Sequence, residues 1–163
     1  QRPEMQNGPR KNLTILVVGE TSRAANFSLG GYERETNPLL KQDNVIYFPN
    51  ATSCGTATAV SVPCMFSGMT RAHYDDQLAS HQEGLLDIIQ RAGIQVLWNE
   101  NDGGCKGACD RVPHQDMRKI NRADYCIDGE CQDEILFHAF ASYIGKLQGD
   151  GILGLHIFGG QER

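Results

Sequence analysis

The chain has 163 residues, 40% of them hydrophobic and 21% charged, with a formal net charge of −5. That length supports one domain with its own core, and these ordinary fractions exclude global disorder. The acidic balance excludes a general nucleic-acid binder, which needs a basic face, and no run of 18 apolar residues is present to span a bilayer as a helix.

Residues 1–11 are polar and carry Pro3, Gly8 and Pro9, a composition that predicts a linker ahead of a folded domain over 12–163. Leu13 to Val18 is a nearly continuous apolar run ending at Gly19, the pattern of a buried parallel strand. Val45 to Phe48, stopped by Pro49 and Asn50, predicts a second strand. Between His81 and Arg91 the residues Leu85, Leu86, Ile88 and Ile89 follow helical spacing, and Gly93 ends the helix. Ile94 to Trp98 reads as a third strand. Asn99 to Tyr125 is loop-like. Gln132 to Leu147 predicts a helix with Ile135, Leu136, Ala139 and Tyr143 on one side. Ile152 to Phe158 predicts a fourth strand, weakened by Gly154. This order belongs to the α/β class: a mostly parallel sheet with helices on both faces. Ligands in such sheets collect beyond the carboxyl ends of the strands, where Glu20 and His156 both fall.

Six cysteines form three close pairs, Cys54/Cys64, Cys105/Cys109 and Cys126/Cys131. An even count in close pairs points to disulfides and an oxidising compartment, although six cysteines allow 15 connectivities. Each small loop so closed adds roughly 2–3 kcal/mol on a chain-entropy argument. The competing reading is a structural zinc site; spacings of C-x3-C and C-x4-C without a repeated C-x2-C argue against it.

Several residues carry chemistry in principle. Glu20, directly after a buried strand, is placed for a metal at the sheet edge; its alternative is a solvated loop acid or one facing a helix N-terminus. Ser53 to Cys64 surrounds a helix start with small residues and hydroxyls, among them Thr58. A hydroxyl there sits where backbone N–H groups hold an anion, and a metal would make it a nucleophile toward phosphorus; its alternative is a capped turn with a structural disulfide. Lys106 lies among glycines that suit phosphate, yet the spacing is not that of a P-loop. His156, near the end of the last strand, is placed for metal or substrate contact, although a lone histidine is more often structural. His73, His81, His114 and His138 fall in no ligand spacing, and the acid pairs Asp75–Asp76 and Asp133–Glu134 read as solvated faces.

Residues 12–23, Asn-Leu-Thr-Ile-Leu-Val-Val-Gly-Glu-Thr-Ser-Arg, resemble the opening of the phosphoethanolamine transferases. Residues 52–67, Thr-Ser-Cys-Gly-Thr-Ala-Thr-Ala-Val-Ser-Val-Pro-Cys-Met-Phe-Ser, resemble their nucleophile segment. The likeness continues through Gln82 to Asp87 and Leu97 to Asn99 and covers about Asn12 to Gly159. It is strongest to the enterobacterial lipid A enzymes of polymyxin resistance, relatives of the mobile colistin-resistance enzymes. Gly31 to Pro38 also echoes the alkaline phosphatase and sulfatase superfamily. The resemblance implies an alkaline-phosphatase-like α/β/α sandwich on the periplasmic face of the bacterial inner membrane. It implies that Thr58 is the nucleophile, that Glu20 and Thr58 contact a catalytic Zn2+, and that Lys106 contacts substrate. It also implies that the cysteine pairs match the family's disulfides. The implied donor is phosphatidylethanolamine and the implied acceptor a lipid A phosphate, with a covalent phosphoethanolamine-threonine intermediate.

Family members begin with transmembrane helices and supply further zinc ligands from a later Asp-His-Gly segment. Neither is found in these 163 residues, and Gln161 stands where a histidine is usual. The expectation is an incomplete catalytic domain, its membrane anchor and C-terminal part missing, with an apolar sheet edge exposed. Such a chain alone would be inactive and marginally stable. The alternatives are a phosphohydrolase of the same superfamily and a noncatalytic periplasmic remnant.

Overall fold

The computed structural model describes residues 10–138 and 140–159. Most of the linker reading, Ala139, and the ending from Gly160 to Arg163 with Gln161 lie outside the described residues. Among the described residues six strands form: β1 (Leu13–Val18), β2 (Gln95–Glu100), β3 (His114–Asp116), β4 (Cys126–Ile127), β5 (Glu130–Cys131) and β6 (Gly151–His156). The helices are α1 (Pro38–Gln42), α2 (Thr58–Ser67), α3 (Asp76–His81), α4 (Leu85–Arg91) and α5 (Phe140–Lys146), with short 3-10 turns between them.

Four strands make one sheet in the order β1-β6-β2-β3, every neighbour parallel. Parallel neighbours require crossovers, and these carry helices to both faces of the sheet. Alternation along each strand then divides the core in two. Leu16, Val18, Val96 and Trp98 face Val62 and Phe66 of α2, Leu86 of α4, and the loop holding Cys105, Cys109 and Val112. Leu97, Leu153 and Leu155 face the other way, toward Met117, the β4–β5 hairpin, Ile135, Leu136 and Tyr143 of α5. Gly154 is the small residue that makes room for Trp98. An added Cβ there would lie 2.6 Å from Trp98 Cε3, and the indole is fully buried.

The structure departs from the sequence expectations in four places. Val45 to Phe48 is not a strand: among the described residues it pairs with no neighbour, and Ile46 and Phe48 are 85% and 74% exposed. Asn44 enters it with φ +50°, and Tyr47 is held by stacking on Phe27 at 6.3 Å rather than by a ladder. The helix expected over 81–91 is α4 alone, Leu85–Arg91, and His81 is the last residue of a separate α3. Asp75 caps α3 by accepting the Leu78 N–H at 2.9 Å, and α4 starts afresh after the extended Gly84. The helix expected over 132–147 is a 3-10 turn, Asp133–Phe137, followed by α5. The third strand runs on to Glu100, and the region read as loop contains β3.

All six cysteines are paired, Cys54 with Cys64, Cys105 with Cys109 and Cys126 with Cys131, so none is free to bind zinc. Cys105 and Cys109 lie beside Asp110 in a metal-like cluster, but disulfide sulfurs offer no thiolate. Among the described residues no helix is long and apolar enough to cross a membrane. Ile15 and Val17, on the open side of β1, are 45% and 54% exposed.

Two tests follow from this packing. Gly154→Ala should destabilise by about 1–3 kcal/mol through overpacking against Trp98; a thermal midpoint equal to wild type would contradict the placement. Asp87, 8% exposed, pairs with Arg111 at 2.6 Å and accepts the Gly84 N–H at 2.8 Å. The Arg111 hydrogen bond, opposed by burial and aided by the Gly84 N–H, holds its carboxyl below the usual range. A depressed carboxyl stabilises above its unfolded pKa, near 3.9, and loses that contribution as pH falls through the folded value. Asp87→Asn should therefore cost about 1.5–3 kcal/mol at neutral pH, with the deficit shrinking in acid. Urea denaturation showing one constant deficit across that range would refute the assignment.

Candidate active site

Strand register lines up Val18, His156, Glu100 and Asp116 in one row across the sheet. All four strands end there, and β1, β6 and β2 hand their chains to the same edge. Ile157 N–H donates to Val18 O and Asn101 N–H to His156 O, both at 3.0 Å, so the exits stay bound for one residue more. Glu20 follows β1, Asp102 follows β2 and Gly159 follows β6. Gly159 has φ +68°, and a Cβ on it would meet Glu20 Cβ at 3.2 Å. Glycine permits both that backbone conformation and that approach.

Thr58 reaches the same edge from the other direction. It is the first residue of α2, after the extended Ala57. The Cys54–Cys64 bridge ties the entering loop to the helix, and Val62 and Phe66 pack α2 on the sheet. Thr58 Oγ1 lies 3.4 Å from both carboxylate oxygens of Glu20. The first N–H groups of a helix lack intrahelical partners and carry positive partial charge, so an anion beside Thr58 is favoured.

Behind this pair is a buried polar cluster. The Glu100 carboxylate accepts from Trp98 Nε1 at 3.0 Å, from the Asp102 N–H at 2.6 Å and from His156 Nδ1 at 2.9 Å. Burial pushes Glu100 up, but the bonds from His156, Trp98 and Asp102 together hold it below the ordinary carboxylate range. His156 is fully buried; its Nε2 has no hydrogen-bond partner and faces Asp102 Oδ2 at 3.5 Å. Burial, then the neighbouring charge of Glu20, pushes the Asp102 carboxyl up to about 6, against the pull of His156. Among the described residues no Lys or Arg forms an ion pair with Glu20 or Asp102.

The structure thus brings Glu20, Thr58 and His156 to one edge. No hydrogen bond or ion pair links Lys106 to them among the described residues. Lys106 is exposed in the left-handed conformation, φ +51°, with Nζ on Gly103 O at 3.2 Å. It shares a cleft of about 250 Å³ with Ala59, Tyr74 and Arg111, and Ala59 is the residue after Thr58. His73, His81, His114 and His138 are exposed, as are Asp75 and Asp76. Asp133 corrects the solvated reading of its pair: it accepts from Asn101 Nδ2, the Phe158 N–H and the Gly159 N–H at 2.8, 2.7 and 3.0 Å. Glu100 and Asp102 were assigned to a loop by sequence. The alternation Val96, Trp98, Glu100 was the available signal that Glu100 shares a buried face.

Residues 12–160 match the sulfatase family. The chain belongs to the sulfatase family. Its sulfatase fold is the alkaline-phosphatase-like α/β architecture expected from sequence. Within the family it is 70% identical over 159 residues to phosphoethanolamine transferase EptA of Escherichia coli strain K12. That match covers 98% of this chain and 29% of the relative. The integral membrane lipooligosaccharide phosphoethanolamine transferase A of Neisseria meningitidis superposes with a TM-score of 0.91 at 47% identity, over 98% of this chain and 30% of that one. The C-terminal periplasmic domain of phosphoethanolamine transferase EptC from Campylobacter jejuni gives 0.79 at 42% identity, over 94% and 47%. The chain therefore spans less than a third of the length of the curated Escherichia coli transferase.

Glu100 is the anchor of this sulfatase-family edge. Glu100→Gln removes the charge from three donors in the core and should cost about 3 kcal/mol or more. Urea unfolding that shows a loss below about 1 kcal/mol would contradict the buried, ionised assignment.

Proposed function

We propose that this chain carries the nucleophile side of a phosphoethanolamine transferase site. The observation that carries the reading is Thr58 Oγ1, at a helix N-terminus, 3.4 Å from both oxygens of Glu20. The transferase names of the relatives agree with it.

The edge fits a divalent metal. A carboxylate and a hydroxyl face each other, with no ion-paired base and a second carboxylate, Asp102, close behind. Oxygen donors of this kind suit Zn2+. Glu20 and Thr58 would hold it, and when bound it supplies the Lewis acidity that lowers the hydroxyl pKa.

The chain's own residues then do the following. Glu20 orients the Thr58 hydroxyl. The α2 N-terminus offers N–H groups to the donor's phosphate oxygens. Thr58 Oγ1 attacks the phosphorus of phosphatidylethanolamine, a new P–O bond forms, and the bond to the diacylglycerol oxygen breaks; the hydroxyl proton leaves with diacylglycerol. A lipid A phosphate oxygen attacks the phosphoethanolamine-threonine next and Thr58 is released. Lys106, on the cleft beside Ala59, contacts the donor's phosphate or the acceptor. The product carries an ammonium that offsets phosphate charge, which weakens cationic-peptide binding and accounts for polymyxin resistance. In this reading the site works on the periplasmic face of the inner membrane; the three disulfides support an oxidising compartment.

The test is mass spectrometry of the full-length protein that carries this segment, after incubation with phosphatidylethanolamine vesicles and zinc. The peptide holding Thr58 should gain one phosphoethanolamine. Thr58→Ser should keep the gain and Thr58→Ala should lose it. Added lipid A should discharge the adduct to a modified lipid. Discharge to water alone would mark a phosphohydrolase instead, and adduct formation on Thr58→Ala would remove Thr58 from the role.

A further inference from the structure

The Asp133 carboxylate has three donors and none of them is a charged side chain. Oδ1 accepts from the Phe158 N–H at 2.7 Å and from Asn101 Nδ2 at 2.8 Å; Oδ2 accepts from the Gly159 N–H at 3.0 Å. Asn101 also donates from Nδ2 to Cys131 O at 3.0 Å. One side chain therefore clamps the exits of two strands, β2 through Asn101 and β6 through Phe158 and Gly159, to the hairpin closed by Cys126 and Cys131.

The clamp has a direction. Gly159 runs close beside Glu20: a Cβ added to it would lie 3.2 Å from Glu20 Cβ, which leaves room for the glycine backbone alone. Glu20 in turn faces Thr58. A carboxylate takes an N–H on each oxygen at once, whereas an amide side chain in the same place has only one oxygen and must set its NH2 against the second N–H. The two consecutive backbone N–H groups thus specify an acid, and a neutral isostere of equal size loosens the contact on Glu20.

We propose that Asp133 is a positioning residue of the nucleophile site, holding Phe158 and Gly159 so that Gly159 fixes Glu20 against Thr58. For its kinetic arm alone this rests on the reading of Thr58 as the nucleophile. A residue that acts this way slows the chemical step more than it weakens substrate binding, because small displacements of a reacting group cost large factors in rate.

The experiment compares Asp133→Asn with Tyr143→Phe in the intact protein. The Tyr143 hydroxyl lies 3.0 Å from both Gln95 O and Ile152 O, at the opposite end of the sheet, and shares its one proton between them. Both changes remove hydrogen bonds, so both should lower the melting temperature. Amide hydrogen exchange is read first. Asp133→Asn should speed exchange by about tenfold or more at Gly159 and Glu20, and Tyr143→Phe should not. The second reading is Thr58 labelling by phosphatidylethanolamine vesicles. Asp133→Asn should slow labelling about tenfold or more with the half-saturating vesicle concentration unchanged, and Tyr143→Phe should label at the wild-type rate. If Asp133→Asn does not fold, Asp133→Glu, which keeps the charge but moves it by one methylene, carries the same two expectations. Unchanged exchange at Glu20, or an equal rise in both variants, would overturn the proposal. A wild-type protein that never labels would count against the nucleophile reading and leave the exchange result to decide the clamp.

Discussion

Everything at the active edge depends on the in-register row Val18, His156, Glu100, Asp116. Parallel strands of this sheet end at one level, so whatever follows them must meet. Because β6 lies between β1 and β2, three separate chain segments, 19–20, 101–102 and 157–159, are delivered to one place. None of those segments has regular structure of its own. Their order comes from the strands behind them and from hydrogen bonds between the exits. Glu100 is the strongest of these ties, since it gathers an indole, an imidazole and a backbone amide within the core. An ionised carboxylate is retained in such a place only when its acceptor sites are filled.

The two faces of the sheet contribute differently. On the α2 and α4 face, Trp98 fills the space left by Gly154 and edges onto Phe66 with ring centres 5.5 Å apart. That contact seats α2, and α2 presents Thr58. On the opposite face the hairpin and the turn beginning at Asp133 brace the strand exits from behind. Disulfides occur on both sides, closing the loop before α2, the Cys105–Cys109 turn and the hairpin. They stiffen the irregular segments, which a small domain cannot otherwise order. Nucleophile and metal-ligand candidates thus sit between two independently packed layers, one supplying Thr58 and the other steadying Glu20.

Much of this was legible in the sequence because it follows from local chemistry. Leu13 to Val18 is a parallel strand as read, although at the sheet edge only Val18 is buried and Ile15 and Val17 are exposed, and Gly93 and Gly19 marked real ends. Glu20 and Thr58 were singled out by position after a strand and at a helix start, although nothing local shows that they meet across 38 residues. Val45 to Phe48 failed because a short apolar run needs a partner strand to become one, and Tyr47 finds Phe27 instead. Glu100 was hidden because a charged residue reads as loop unless its partners are known, and His156 lies 56 residues away. Asp133 was hidden for the same reason: next to Glu134 it looks solvated, and its donors at positions 101, 158 and 159 are brought to it only by the fold.

Glu20 and Thr58 either form one metal-bearing site or are two neighbouring surface residues. Anomalous diffraction at the zinc edge, from crystals of the protein grown with zinc, decides between these. One shared site gives a peak at coordinating distance, about 2 Å, from a Glu20 oxygen and from Thr58 Oγ1. A peak on other residues with Thr58 turned away from Glu20, or no peak at this edge in zinc-saturated crystals, would contradict the shared site.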